Sequence, residues 1–457
     1  MDAMTNTATA RRRIRPQVAR PVPPQARNRA ATAAGRPVRR VPSVLAPWLR
    51  AQSLNVKRHA AALRPFQRTE FGPGPAAPTE GHIQAVNQLL AQLRASLLSM
   101  SSRVTEQVNT AISEPTSTNL RRTVIRKEHA HSWVQTVERV WDFYFELFGQ
   151  RQSRFGDWLL SCDRIALDCY QAAYMGLGVA KSIPAPPAFS YMRTGFSPAT
   201  FRRGIRLRRL GQINPFPLIQ LPYHRLVNPW TLGAVLHEVS HNLQNDLGLA
   251  RSVPRNIARR LMREGHSPGV AAVWSRWNRE LYADVSGLLL GGPAVVASLM
   301  DVIGRGPNMV FSYSPRAPHP TPYLRTYISI ELLRRMDFPA EAEQYDRAWS
   351  RIYPDPRVGN IPAPVLRNFR DVIALVVDSV CFQPYPELGN KSLSEVIRFR
   401  PKEQHMVEEA AQRLAAGTDP GVIPARFLIG ASRFALDRNF ARPGAISKSF
   451  YTELVRR

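Results

Sequence analysis

Apolar residues recur at helical spacing over 81–112, 128–149 and 155–177, where Leu, Val, Trp and Phe return every three or four positions. These runs predict a helical N-terminal region ending at the loop Pro184-Ala185-Pro186-Pro187. Two short strands are expected next, at 206–210 and 215–221, the second assigned to a sheet edge because of Pro217 and Pro222. Asn228-Pro229 then reads as N-cap and first residue of a helix whose apolar stripe is Leu232, Val235, Leu236, Val239 and Leu243. Ser252 before Pro254 and Ser267 before Pro268 start two further helices, the latter running to about Leu290 and stopping at Gly291-Gly292-Pro293. From 321 onward the pattern is again mostly helical, with breaks near Pro354–Pro364, Gln383–Leu388 and Gly417–Pro424, and no solenoid repeat is found.

Residues 1–69 lack such periodicity and carry fourteen Arg, one Lys and a single acid, Asp2. They hold about half of the net charge of +28 carried by the 457-residue chain. A leader this poor in apolar surface cannot offset the entropy of ordering, so an Arg/Pro-rich disordered tail is expected over 1–79. Such a tail suits nucleic acid, an acidic partner or an anionic membrane, or serves only solubility. No apolar segment follows Arg11-Arg12-Arg13 to make a secretory signal, and Pro16, Pro21, Pro23 and Pro24 would break a mitochondrial presequence helix. The uncharged run Val285–Met300 is shorter than the roughly 18 residues a membrane span needs. Cys162, Cys169 and Cys381 form no CxxC pair and suit a reducing compartment. A protein without transmembrane segments, located in the cytoplasm, is expected.

The chemistry concentrates at His237, Glu238 and His241, an HExxH box within the stretch Ala234-Val-Leu-His-Glu-Val-Ser-His-Asn-Leu243. Positions i and i+4 share one helix face, so both imidazoles can grip one zinc ion while Glu238 stands where a general base is needed. A catalytic zinc takes three protein ligands. Downstream, Glu280 and Asp284 also lie four apart. Glu280 is positioned to complete the set, and Asp284 to accept a hydrogen bond from the far nitrogen of a ligating histidine.

With these residues in place the chain resembles the gluzincin metallopeptidases, specifically the CAAX-prenyl-protease/HtpX-like family. The likeness spans roughly 200–335. It rests on the HExxH helix, on Glu280-Leu-Tyr-Ala-Asp284, on Gly292-Pro293-Ala-Val-Val-Ala-Ser-Leu, and on His319-Pro320 followed by Arg325. The basic residue usual after the ExxAD element is Val285 here, and membrane helices are absent. The resemblance implies a zincin-like core with Zn2+ held by His237, His241 and Glu280. Glu238 would be the general base, Asp284 and Arg325 would support the ligands, and His319 would bind the oxyanion or gate the cleft.

The fold expected is therefore α+β: a basic tail over 1–79, a helical region over 80–199, a zincin-like core with a small sheet over 200–335, and a helical region over 336–457. A peptide or protein substrate would add as a strand to the edge at Phe216–Leu221, with Tyr323 an alternative oxyanion donor. A rival third ligand is His266, because Arg263-Glu-Gly-His266-Ser-Pro268 resembles the segment supplying a histidine in SprT-like, DNA-associated proteases. A silent zinc-fold scaffold, with the basic tail as its working part, is the non-enzymatic alternative. His129 and His131 are expected to be solvated, His224 structural, and Gly176–Lys181 a helix C-cap. Arg206 and Arg208 read as the solvated face of a half-buried strand, or as a preference for acidic substrates.

Overall fold

The computed structural model describes residues 44–207 and 211–457. Disorder expected over 1–43 lies outside the described residues. Residues 44–79, expected to share that disorder, instead hold helix α1 (Leu45–Ala62) and a turn at Arg68–Phe71. Leu49, Val56 and Ala60 are buried on one narrow seam of α1, diluted in the sequence by Arg, Lys and Gln between them. That seam has meaning only against a partner, and the long hairpin of α2 (Glu80–Ser113) and α3 (Ser117–Gly149) supplies it through Val104, Val108 and Ala130. Thr79 and Thr116 cap the two hairpin helices, each side chain accepting a backbone N–H. Helix α4 (Gly156–Leu177) follows and ends at Gly178, whose φ of 71° makes it the expected left-handed C-cap.

The strands are β1 (Phe189–Met192), β2 (Ala199–Phe201), β3 (Arg206–Leu207), β4 (Gln212–Ile213) and β5 (Leu218–Leu221). The main sheet has the order β1-β5-β2, so β5 is its central strand and the edge assignment fails. Pro217 and Pro222 flank β5 rather than interrupt it, leaving its N–H groups free to pair with parallel β1 and antiparallel β2. The edges belong to β1 and β2, and β2 is the one packed beside the helix that carries His237 and His241.

Helix α5 (Tyr223–Val227) leads to α6 (Gly233–Asp246). Asn228-Pro229 opens a separate short turn, Pro229–Thr231, rather than α6 itself. Helices α7 (Ser252–Arg263), α8 (Pro268–Arg276) and α9 (Asn278–Gly291) come next. The single helix expected over 268–290 breaks at Trp277. There the Asn278 amide donates to the Ser275 carbonyl and accepts from Gln244, while Trp274 and Trp277 are both buried with their rings 5.3 Å apart. All of 280–291 is buried, making α9 the central helix.

The remainder is α10 (Ala294–Ile303), α11 (Pro307–Val310), α12 (Pro322–Arg335), α13 (Pro339–Ile352), α14 (Ala363–Leu366) and α15 (Phe369–Val377). After a ribbon of β6 (Pro384–Tyr385) and β7 (Lys391–Ser392) come α16 (Leu393–Val396), α17 (Pro401–Ala416), α18 (Phe427–Asp437) and α19 (Pro443–Arg456). One hydrophobic core runs from Leu159 in α4 to Leu454 in α19, crossing the expected boundaries at 199/200 and 335/336. The fold is mostly helical with a small sheet. Among the described residues no helix is long and apolar enough to cross a membrane.

Candidate metal centre

Val235, Leu236, Val239 and Leu243 are fully buried, and this fixes the rotation of α6 so that His237 and His241 face a cleft of about 740 Å³. Helix α9 packs antiparallel to α6, with Gln244 beside Asn278 at one end and Leu236 against Gly291 at the other. Gly291 permits this approach: a Cβ there would sit 2.4 Å from Leu236 Cδ1 and 2.8 Å from Val295 Cγ2, whereas one on Gly287 would make only an ordinary contact, 3.4 Å from the His237 backbone nitrogen. The close crossing carries Glu280 and Asp284, one turn apart, up to the two imidazoles.

Donor atoms of three residues converge. His237 Nε2 and His241 Nε2 lie 3.2 Å apart, Glu280 Oε2 lies 3.4 Å from the first and Glu280 Oε1 3.6 Å from the second. Bonds of about 2.0–2.1 Å to a tetrahedral ion place its ligands roughly 3.3–3.4 Å apart, so these separations are of the size found between ligands of one zinc ion. His237, His241 and Glu280 are the residues that can hold a metal ion. Asp284 Oδ1 lies 2.8 Å from His237 Nδ1, which fixes the ring with its proton on Nδ1 and its Nε2 lone pair turned to the cluster. Arg325 in turn donates twice to Asp284, from Nε at 2.8 Å and Nη2 at 2.7 Å.

The network is buried, with Glu238, Glu280, Asp284 and Arg325 each 8% exposed or less. Burial pushes His237 down, but hydrogen bonds and charge from Asp284 and Glu280 outweigh it and raise the imidazole to about 10. Burial tends to raise Glu280 as well, yet its bond to His237 and the nearby cations hold it well below the usual carboxylate range. Burial and the charge on His237 push His241 down to about 3. The two carboxylates thus call for positive charge between the rings, which a proton or a metal ion supplies. Burial also pushes Glu238 up to about 7, with His237 pulling the other way. Its carboxylate lines the cleft and, among the described residues, makes no hydrogen bond or ion pair.

Strand β2 forms one wall of the cleft through Ala199 and Thr200, tied to α6 by the Asn242 amide donating to Thr200 Oγ1 at 2.9 Å. The edge beside the cluster is therefore β2, not the Phe216–Leu221 segment. His319 stands on the opposite rim, 58% exposed, with Nε2 3.5 Å from Glu280 Oε2. Tyr323 is no donor to the cleft, because its ring is buried among Phe311, Tyr327 and Phe369. His266 belongs to the turn between α7 and α8, where its N–H bonds the Leu261 carbonyl and Ser267 caps α8, away from the cluster. His224 and His129 are exposed, whereas His131 is half-buried with its ring 5.5 Å from that of His59. Arg206 is exposed beside buried Leu207, as a half-buried strand requires, and residues 208–210 lie outside the described set.

Sequence reading missed the basic mouth of the cleft. Arg202 follows β2 and Arg279 precedes Glu280, and both line the cleft near the C-terminal end of α6. Burial and the charge of Arg279 lower Arg202 from its ordinary value, with Asp246 opposing. Leu299, Val302, Ile303 and Met309 line the other end together with Arg305, whose guanidinium stacks on Phe196. No periodic signal joins 202 to 279, since only the fold brings them together. Comparison with protein-family models, curated proteins and solved structures returns no match.

Proposed function

We propose that the protein is a zinc-dependent peptidase of gluzincin type, with residues 200–335 as its zincin-like part and the CAAX-prenyl-protease/HtpX-like enzymes as the family it resembles. The observation that carries this reading is the His237–His241–Glu280 triangle with an unpaired carboxylate, Glu238, one residue from a ligand. Two imidazoles and a carboxylate are a donor set that zinc accepts, and the 3.2–3.6 Å edges fit it. Zinc held there supplies Lewis acidity, which makes water acidic near neutral pH and polarises an amide carbonyl.

The chain's own residues do the rest. Asp284 keeps His237 in the ligating tautomer, and Arg325 keeps Asp284 ionised and oriented. A peptide pairs as an added strand with the outer edge of β2, which bonds only β5 among the described strands. Glu238 takes the proton from the attacking water and delivers it to the leaving amine nitrogen. His319, on the rim, donates to the charge that develops on the carbonyl oxygen. The Arg202/Arg279 mouth favours an acidic side chain at that end of the substrate, and the apolar end a bulky one.

Metal analysis and hydrolysis of a mixed fluorogenic peptide library test the reading together. Wild type and Glu238→Gln should both retain zinc, while Glu280→Ala loses it. Hydrolysis should fall about 10²–10⁴-fold in Glu238→Gln, the usual contribution of a general base. Wild-type turnover in that variant, or zinc retained after Glu280→Ala, would sink the assignment.

A further inference from the structure

Helix α7 carries Arg251 at its start and then Arg255, Arg259 and Arg263 at successive four-residue intervals, so all four lie along one face. All four are exposed, and among the described residues none has an ion-pair or hydrogen-bond partner. The one arginine of this helix off the stripe behaves differently: Arg260 lies 3.3 Å from Glu264 and 3.9 Å from Asp378. The neighbouring helix adds a fifth exposed arginine nearby. The Ser275 hydroxyl donates to the Pro254 carbonyl at 2.9 Å, bringing exposed and unpaired Arg276 beside the start of the stripe.

We propose that this face of α7 binds the phosphate backbone of a nucleic acid. A rise of 1.5 Å per residue spreads Arg251 to Arg263 over about 18 Å, along which one strand presents about five phosphates. Guanidinium groups suit phosphate because they donate in a planar fork and hold their charge. An anionic lipid surface is the other polyanion to consider, but the apolar face such a helix would insert is already used. Val253, Ile257 and Leu261 are fully buried in the core, and Met262 is the exposed large apolar side chain of the helix. What α7 offers outward is charge without a greasy face, which matches nucleic acid.

The test is fluorescence anisotropy of the full chain with a labelled single-stranded DNA of about 20 nucleotides, over a salt series. Arg255→Gln/Arg259→Gln/Arg263→Gln is compared with Arg121→Gln/Arg122→Gln/Arg126→Gln, the same charge change on exposed positions of α3. Every phosphate that an arginine no longer neutralises takes about 0.7 off the log–log salt slope for a single strand, so the α7 variant should flatten it by about 2. The α3 variant should leave it unchanged. The proposal is overturned if the wild type does not bind, if the α7 slope matches wild type, or if both variants lose affinity equally. It is also overturned if phosphatidylserine vesicles, and not DNA, bind in an arginine-dependent way. Peptide hydrolysis plays no part in this readout, so its outcome stands apart from that of the zinc assignment.

Discussion

Helices α6 and α7 follow one another in the chain, and both bury an apolar stripe in the same core, yet they treat charge in opposite ways. Against α6 four buried groups of the cleft are tied into a relay, His237 to Asp284, Asp284 to Arg325, and Glu280 within reach of both imidazoles, while Glu238, its carboxyl pushed up to about 7 by burial, stands outside it. On α7 four arginines stand in water with no acid assigned to them. Desolvation explains the difference, because a buried charge must be matched at close range or cost several kcal/mol, whereas an exposed one carries little penalty. Burial therefore dictates the pairing on α6. It dictates nothing on α7, where the pattern is free to serve an external partner.

The sharpest way to break the comparison is to remove one member of the buried relay. Arg325→Met should destabilise the chelator-treated protein by about 3–5 kcal/mol in urea denaturation, since Asp284 then loses its bidentate partner while still buried. Replacing both partners, as Asp284→Leu/Arg325→Met, should cost less than the single change. A double variant as unstable as the single one would mean that the pair adds packing rather than charge balance.

His82 asks what becomes of a buried imidazole given no carboxylate. Its Nε2 donates to the Pro187 carbonyl at 3.1 Å and its Nδ1 accepts from the Thr79 hydroxyl at 2.7 Å, a neutral arrangement that joins α2 to the loop before β1. Burial holds it down to about 4 from 6.5. The unfolded chain then takes up a proton between pH 6.5 and 4 that the folded chain refuses. Stability should fall across that window, level off below it, and lose about 3 kcal/mol in all. Thermal melts of His82→Gln should lack this slope; an unchanged slope would assign the acid lability to other groups.

The smallest effect is expected on α7. Arg255→Gln and Arg259→Gln remove like-charge neighbours at i,i+4, so the fold should gain about 0.2–0.5 kcal/mol per pair at low ionic strength, fading with added salt. A loss of more than about 1 kcal/mol in either variant would reveal a structural partner and erase the contrast with α6.

Much of the candidate site was legible before folding. The four-residue spacings of His237/His241 and Glu280/Asp284 set each pair on one helix face whatever else the chain does, and both pairs meet in the cleft. The α2 and α4 helices and the Gly178 cap were equally local, whereas α3, expected from 128, starts at Ser117, because its first turns carry Arg, Asn and Thr in place of a clear apolar stripe. Other features were not. The seam of α1 is too narrow to register without the hairpin that covers it, and a well-patterned helix breaks at Trp277, where the Asn278 amide bonds Ser275 and Gln244. Proline near β5 suggested an edge, but proline outside the paired residues places no limit on a strand's neighbours.

What the sequence determined by itself was periodic: which residues share a helix face, where helices cap, and which chemistry those faces can carry. Backbone geometry repeats every 3.6 residues regardless of context, so such facts survive without a fold. Adjacency came from the folded chain alone: β2 rather than β5 at the cleft, Arg202 beside Arg279, Tyr323 buried and His319 on the rim. Those relations join residues tens of positions apart, and they are set by which apolar faces cover one another, a quantity no local window contains.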